Sequence, residues 1–157
     1  MAFFKRKAKV EEPKAEPVKD EILRKENIIL NCKSQKKEDV IKQLGRILVD
    51  CDYVDEPYIQ AMLDKEKVFN TAIGNEIAIP HGIEASKESI KKSGIAMMVF
   101  PEGTDWNGEM VRIVIAIAGR GDEHLDILAK IALNLSDTDD VDHLVKSDVD
   151  TIYNMFA

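Results

Sequence analysis

Val111-Arg112-Ile113-Val114-Ile115-Ala116-Ile117-Ala118 is an apolar run interrupted only by Arg112. A strand with one wet face alternates apolar and polar residues, whereas a strand covered on both faces reads as continuously apolar. The run therefore predicts a central strand with other elements packed on each side. Gly119-Arg120-Gly121-Asp122 follows as a tight turn, and Asp122 is placed to cap a helix. That helix is expected to carry Leu125, Leu128, Ile131, Ala132 and Leu135 on one stripe, with His124 in its first turn.

Upstream, Ile95-Ala96-Met97-Met98-Val99-Phe100 reads as a second strand, with both methionines as core filler. Pro101 to Gly108 reads as a loop, with Trp106 packed beneath it. Ile28-Ile29-Leu30 is an expected edge strand, and Ser34 an expected cap for a helix over 35–51. Val40, Ile41, Leu44, Ile47 and Leu48 form the stripe of that helix. Pro57 suits the first turn of a second helix, capped by Asp55 or Glu56 and running to about Lys67. Its apolar side is Tyr58, Ala61 and Met62. Residues 84–92 permit one or two helical turns. Two short helices, about 138–146 and 148–156, close the chain, the second capped by Asp148.

Strands alternating with helices, without obvious sequential hairpins, give an α/β fold: a small sheet flanked by helices, in a single domain over residues 23–157. Residues 1–22 read as a flexible charged tail, rich in Lys and Glu and broken by Pro13 and Pro17.

The 157 residues are 45% hydrophobic and carry a net charge of −7. The acidic balance speaks against a nucleic-acid partner. No apolar run approaches the roughly 20 residues of a membrane-crossing helix, and the N-terminus lacks a signal-peptide layout, so no direct membrane insertion is expected. Cys32 and Cys51 give neither a disulfide framework nor a Cys-x-x-Cys metal spacing, which fits a reducing, cytoplasmic setting.

Chemistry concentrates at Ile77-Ala78-Ile79-Pro80-His81-Gly82. Pro80 stiffens the approach and Gly82 permits close contact, so an imidazole is held at a strand end. The plain alternative is a histidine in a polar loop. In open α/β sheets sites lie beyond the carboxyl ends of strands, so His81 and His124 are expected to meet at one rim. A helix N-terminus at 122–124 and the nearby Arg120 favour an anion there, with phosphate the best fit. A lysine at position 65, near a helix C-terminus, has a solvated side chain as its simplest reading. His143 reads as a surface histidine. Zinc would need a third ligand from Glu76, Glu84 or Glu123, and no metal is expected on that ligand count. No Gly-x-Ser-x-Gly, Walker loop or Gly-x-Gly-x-x-Gly occurs, so no cofactor is expected, and phosphate would pass between proteins through histidine.

Ile73-Gly74-Asn75-Glu76-Ile77-Ala78-Ile79-Pro80-His81-Gly82 resembles the active-site signature of phosphotransferase-system enzyme IIA components of the mannitol/fructose class. Glu123-His124 resembles the family's second histidine, and Tyr58 to Lys67 looks closest to the mannitol branch. The likeness spans about residues 24–157 and implies a small mixed sheet. It implies that His81 is the phosphohistidine nucleophile, taking phosphate on Nε2 from the phosphocarrier HPr. The phosphoryl group would pass to a cysteine of the cognate enzyme IIB, for uptake of mannitol, a related polyol or fructose through the IIB/IIC permease. His124 would stabilise the added charge. At position 65 similar mannitol components commonly carry arginine, which makes Lys65 a candidate phosphate stabiliser without the bidentate fork. Asn75 stands where close relatives have glutamate. The alternative within the same fold is a regulatory module whose His81 phosphorylation controls a partner protein.

Overall fold

The computed structural model describes residues 21–157, with Glu84 and Ala85 described through their backbone alone. The expected tail therefore lies outside the described residues up to position 20. From Glu21 onward the chain is tied to the fold. Ile95 N donates to the Ile22 carbonyl at 2.9 Å, and the Tyr53 hydroxyl donates to that of Glu21 at 3.0 Å.

Five strands form one mixed sheet. They are β1 (Ile28–Ile29), β2 (Ala72–Gly74), β3 (Ile77–Ala78), β4 (Gly94–Trp106) and β5 (Glu109–Ala118), in the order β1-β4-β5-β3-β2. β4 runs antiparallel to β5, β3 runs parallel to β5, and β1 runs parallel to β4. The predicted central strand is thus the third of five. Its side chains divide by parity. Val114, Ala116 and Ala118 face one core with α1 (Lys37–Asp50) and α2 (Pro57–Val68). Ile113, Ile115 and Ile117 face the other with α3 (Glu123–Asn134), α4 (Thr138–Val145) and α5 (Val149–Phe156). Met97 and Met98 fall on opposite faces and are both buried. Each fully buried isoleucine or leucine contributes on the order of 1.5–3 kcal/mol, so this double covering is the main source of stability.

Several expectations are corrected. Pro101–Trp106 is strand, not loop, and β4–β5 is a sequential hairpin. Asn107 (φ 59°) and Gly108 (φ 88°) make its two-residue turn, with both residues in the left-handed region such a hairpin requires. Trp106 is fully buried, and its Nε1 donates to Glu66 Oε2 at 3.0 Å. Ser34 does not cap α1, because its hydroxyl pairs with that of Thr104 at 3.3 Å. Neither Asp55 nor Glu56 gives α2 a side-chain cap; Glu56 pairs with Arg46 instead. Asp148 does cap α5, accepting from Thr151 N at 2.8 Å. On α3 the buried residues are Ile127 and Ile131, while Leu125 is 63% exposed and Ala132 is also exposed.

Candidate active site

Beyond Ala78, the chain keeps pairing with β5 as far as His81, which sits opposite Ile117. The site therefore lies at the carboxyl end of the parallel pair. Ile117 N donates to the Pro80 carbonyl at 2.9 Å, holding the peptide before the histidine. His81 Nδ1 lies 2.8 Å from the Ile79 carbonyl oxygen. A carbonyl oxygen can only accept, so Nδ1 carries the proton and the neutral ring has its lone pair on Nε2.

His124 enters from the start of α3, which begins just after β5 ends. The two imidazole centroids stand 5.9 Å apart at an interplanar angle of 59°. Gly119 makes this approach feasible. A Cβ there would lie 2.6 Å from His124 Cα and 2.9 Å from its Nδ1. Gly82 plays the corresponding part beside His81, since a Cβ would lie 2.4 Å from Ser86 Oγ and 2.6 Å from Tyr58 Cε1.

Both histidines line a cleft of about 360 Å³, bounded also by Tyr58, Lys65, Ile83, Ser86, Lys87 and Leu125. Two lysines and two histidines line it, and no carboxylate does among the described residues. In a chain of net charge −7 this is a local reversal of sign, suited to an anion. Lys65 reaches the cleft from the last turn of α2, with its ammonium 4.9 Å from the centre of the Phe69 ring. Tyr58, read from the sequence as core, is buried but ends at the cleft. Its hydroxyl donates to the Ile117 carbonyl at 2.8 Å and accepts from Gly82 N at 2.9 Å. Burial pushes its phenol up to about 12, against a smaller opposing effect of the Gly82 hydrogen bond.

Other sequence candidates lie elsewhere. Arg120 turns its guanidinium to the Lys91 carbonyl at 3.0 Å and does not line the cleft. The first amides of α3 are not open to a ligand: Glu123 N and Leu125 N bond to the carbonyls of Arg120 and Asp122 at 3.0 and 3.1 Å. The helix end therefore contributes its dipole to the cleft more than its donors. Glu76 pairs with Arg112, and Glu123 accepts from Ser93 Oγ at 2.5 Å. The Glu84 side chain lies outside what is described. Among the described residues no three His, Cys, Asp or Glu converge as metal ligands. Asn75 (φ 52°) and Glu76 (φ 67°) form the β2–β3 turn, where asparagine tolerates the left-handed conformation better than most residues. Its Nδ2 donates to the Ser136 carbonyl at 3.2 Å. His143 is on the exposed side of α4.

The sequence profile of the phosphoenolpyruvate-dependent sugar phosphotransferase system EIIA 2 family matches residues 21–157. The chain belongs to this family. This EIIA 2 chain is 42% identical over 127 residues to the mannitol-specific phosphotransferase enzyme IIA component of Staphylococcus aureus, covering 81% of this chain and 88% of that protein. Two solved structures share its fold. The Escherichia coli complex of mannitol enzyme IIA with phosphorylated enzyme IIB contains a chain that matches with TM-score 0.77 and 35% identity, covering 83% of this chain and 94% of that one. The crystal structure of E. coli mannitol IIA gives TM-score 0.76 and 36% identity, covering 84% and 96%. Among the described residues no helix is long and apolar enough to cross a membrane.

Proposed function

We propose that this EIIA 2 chain is a phosphoryl carrier for mannitol uptake, with Nε2 of His81 as the atom that carries the group. The observation that supports this most is the 2.8 Å contact of His81 Nδ1 with the Ile79 carbonyl, inside a cleft lined by cations and no described carboxylate. That hydrogen bond fixes the tautomer that leaves Nε2 nucleophilic.

The transfer proceeds by in-line displacement. The Nε2 lone pair forms a P–N bond as the P–N bond of phospho-HPr breaks, and the electron pair of the broken bond stays with the donor imidazole. The phosphoryl group then leaves His81 for the thiolate of a cysteine on enzyme IIB, and Nε2 regains its lone pair. Such transfers depend on positioning and on positive charge around the phosphoryl oxygens more than on acid–base steps. His124, facing His81 across 5.9 Å, supplies a ring N–H toward those oxygens, and Lys65 supplies charge from the cleft lining. The similarity to an enzyme IIA solved with phosphorylated IIB supports IIB as acceptor. HPr as donor, a IIB/IIC permease downstream and a cytoplasmic setting complete the reading.

The test is labelling by phosphoenolpyruvate, enzyme I and HPr. The wild-type chain is expected to take up one acid-labile, base-stable phosphoryl group, and His81→Ala none. Undiminished labelling of His81→Ala contradicts the assignment.

A further inference from the structure

The β3–β5 pairing ends where His81 sits opposite Ile117. In a parallel ladder the residue after His81 gives its N–H to the carbonyl of Ile117, the partner of His81. Here a side chain from α2 stands astride both groups. Tyr58 accepts the Gly82 N–H at 2.9 Å and passes its own proton to the Ile117 carbonyl at 2.8 Å. The ring behind the hydroxyl is 2% exposed, so it cannot swing away. Gly82 has room for this ring only because it lacks a Cβ.

We propose that the Tyr58 hydroxyl is a positioning group for His81. It props the peptide after the histidine away from the carbonyl edge of β5 and thereby fixes where Nε2 points. The inference rests on His81 being the phosphorylated residue. The two peptides flanking His81 have different partners: Pro80 is held by Ile117 N, and Gly82 by the Tyr58 hydroxyl, 24 residues away in sequence. Loss of the hydroxyl has two outcomes for the backbone. Gly82 N–H closes onto the Ile117 carbonyl and draws His81 back toward β5, or the N–H is left unpaired at the cleft and turns toward the anion. Both move the reacting nitrogen relative to an incoming phosphoryl group. Displacements of about 1 Å cost on the order of 100-fold in rate. Burial of the ring alone, the simpler role for a tyrosine on an apolar helix face, would be served equally well by phenylalanine.

Tyr58→Phe separates these roles. Its circular dichroism and thermal midpoint should show a folded protein, and Ile152→Val in α5, remote from the cleft, serves as a mildly destabilised control. For transfer from phospho-HPr, kcat should fall on the order of 10- to 100-fold with KM unchanged within about twofold, since the hydroxyl acts on the nucleophile and not on the donor protein. The Gly82 amide should exchange with solvent at least about tenfold faster. A wild-type kcat in Tyr58→Phe, or a fall equalled by Ile152→Val, overturns the proposal. If His81→Ala is labelled as well as wild type, the carrier reading itself fails and Tyr58 fails with it. A labelled wild type with normal Tyr58→Phe kinetics removes Tyr58 alone. If Tyr58→Phe does not fold, 3-fluorotyrosine at 58 keeps the ring and hydroxyl but is a poorer acceptor. The Gly82 amide proton should then move upfield with a slower transfer, and no change in either overturns the proposal.

Discussion

The two ends of the β3–β5 pair are built in opposite ways. Where that pairing begins, Arg112 is clamped by the carboxylates of Glu76 and Asp142, each at 2.5 Å, and the Glu76 carbonyl accepts from Arg112 N at 2.8 Å. The guanidinium is held above its ordinary pKa chiefly by the hydrogen bond to Asp142. Charge is matched there by charge, and little is left for a ligand. At the far end of the strand stand His81, His124, Lys65 and Lys87, around a cleft with no carboxylate among its described lining residues. Opposite charges brought together make a fastener, whereas two lysines and two histidines around a cleft suit an arriving anion. The net charge of −7 makes the second arrangement the more telling, because it runs against the chain as a whole.

Substitutions at the two ends should therefore differ in kind. His124→Ala should still accept phosphate, but transfer should slow on the order of 100-fold, the usual scale for losing one donor aimed at developing charge. Wild-type transfer in that variant would reduce His124 to a wall of the cleft. Lys65→Ala should shorten the phosphohistidine lifetime about tenfold, the equivalent of one charge-assisted hydrogen bond, while Lys65→Arg should retain it. Equal lifetimes in all three proteins would leave Lys65 only with Phe69. Arg112→Met should do the reverse, costing about 2 kcal/mol of stability in urea titrations with transfer unchanged within about twofold. Slowed transfer without lost stability would blur the distinction between the two ends.

The smallest effect is one of pH. Burial raises the phenols of Tyr58 and Tyr53 from 10.0 to about 12. A raised folded-state value means that the native state favours the neutral phenol. The stability it contributes is complete below pH 10 and is lost as pH rises toward 12. Wild type should therefore lose stability across that interval, and Tyr58→Phe should lose less, its slope reflecting Tyr53 and Tyr153, whose phenol is also raised, chiefly by its hydrogen bond to Glu21. Identical slopes would place the Tyr58 phenol in contact with water.

The same contrast explains what could be read from the sequence. Val111–Ala118 announces a strand covered on both faces because its pattern is local and continuous. The Pro80-His81-Gly82 run marks the candidate site for the same reason. The β4–β5 hairpin carried its own signal in Asn107-Gly108, which outweighs Pro101 and Gly103 as breakers because the strand absorbs them in an irregularity between Val99 and Thr104. Leu125 illustrates the limit of periodicity. It begins the expected stripe of α3, but the first turn of that helix stands at the cleft instead of over the sheet, so Leu125 becomes cleft wall and Ile127 takes the core position. Tyr58 and Gly119 are further still from sequence reasoning. A tyrosine on an apolar helix face looks like packing, and a glycine after a strand looks like a turn. What each meets, Gly82 with Ile117 in one case and His124 in the other, is set by partners the chain brings in from other elements.

On the proposed reading, one nitrogen of one histidine carries the phosphoryl group. Phosphorylating the ¹⁵N-histidine-labelled chain through HPr and recording the phosphorus–nitrogen coupling identifies that nitrogen. Coupling is expected to Nε2 of His81, with Nδ1 still donating to the Ile79 carbonyl. Coupling to Nδ1, or to a nitrogen of His124, would overturn the assignment.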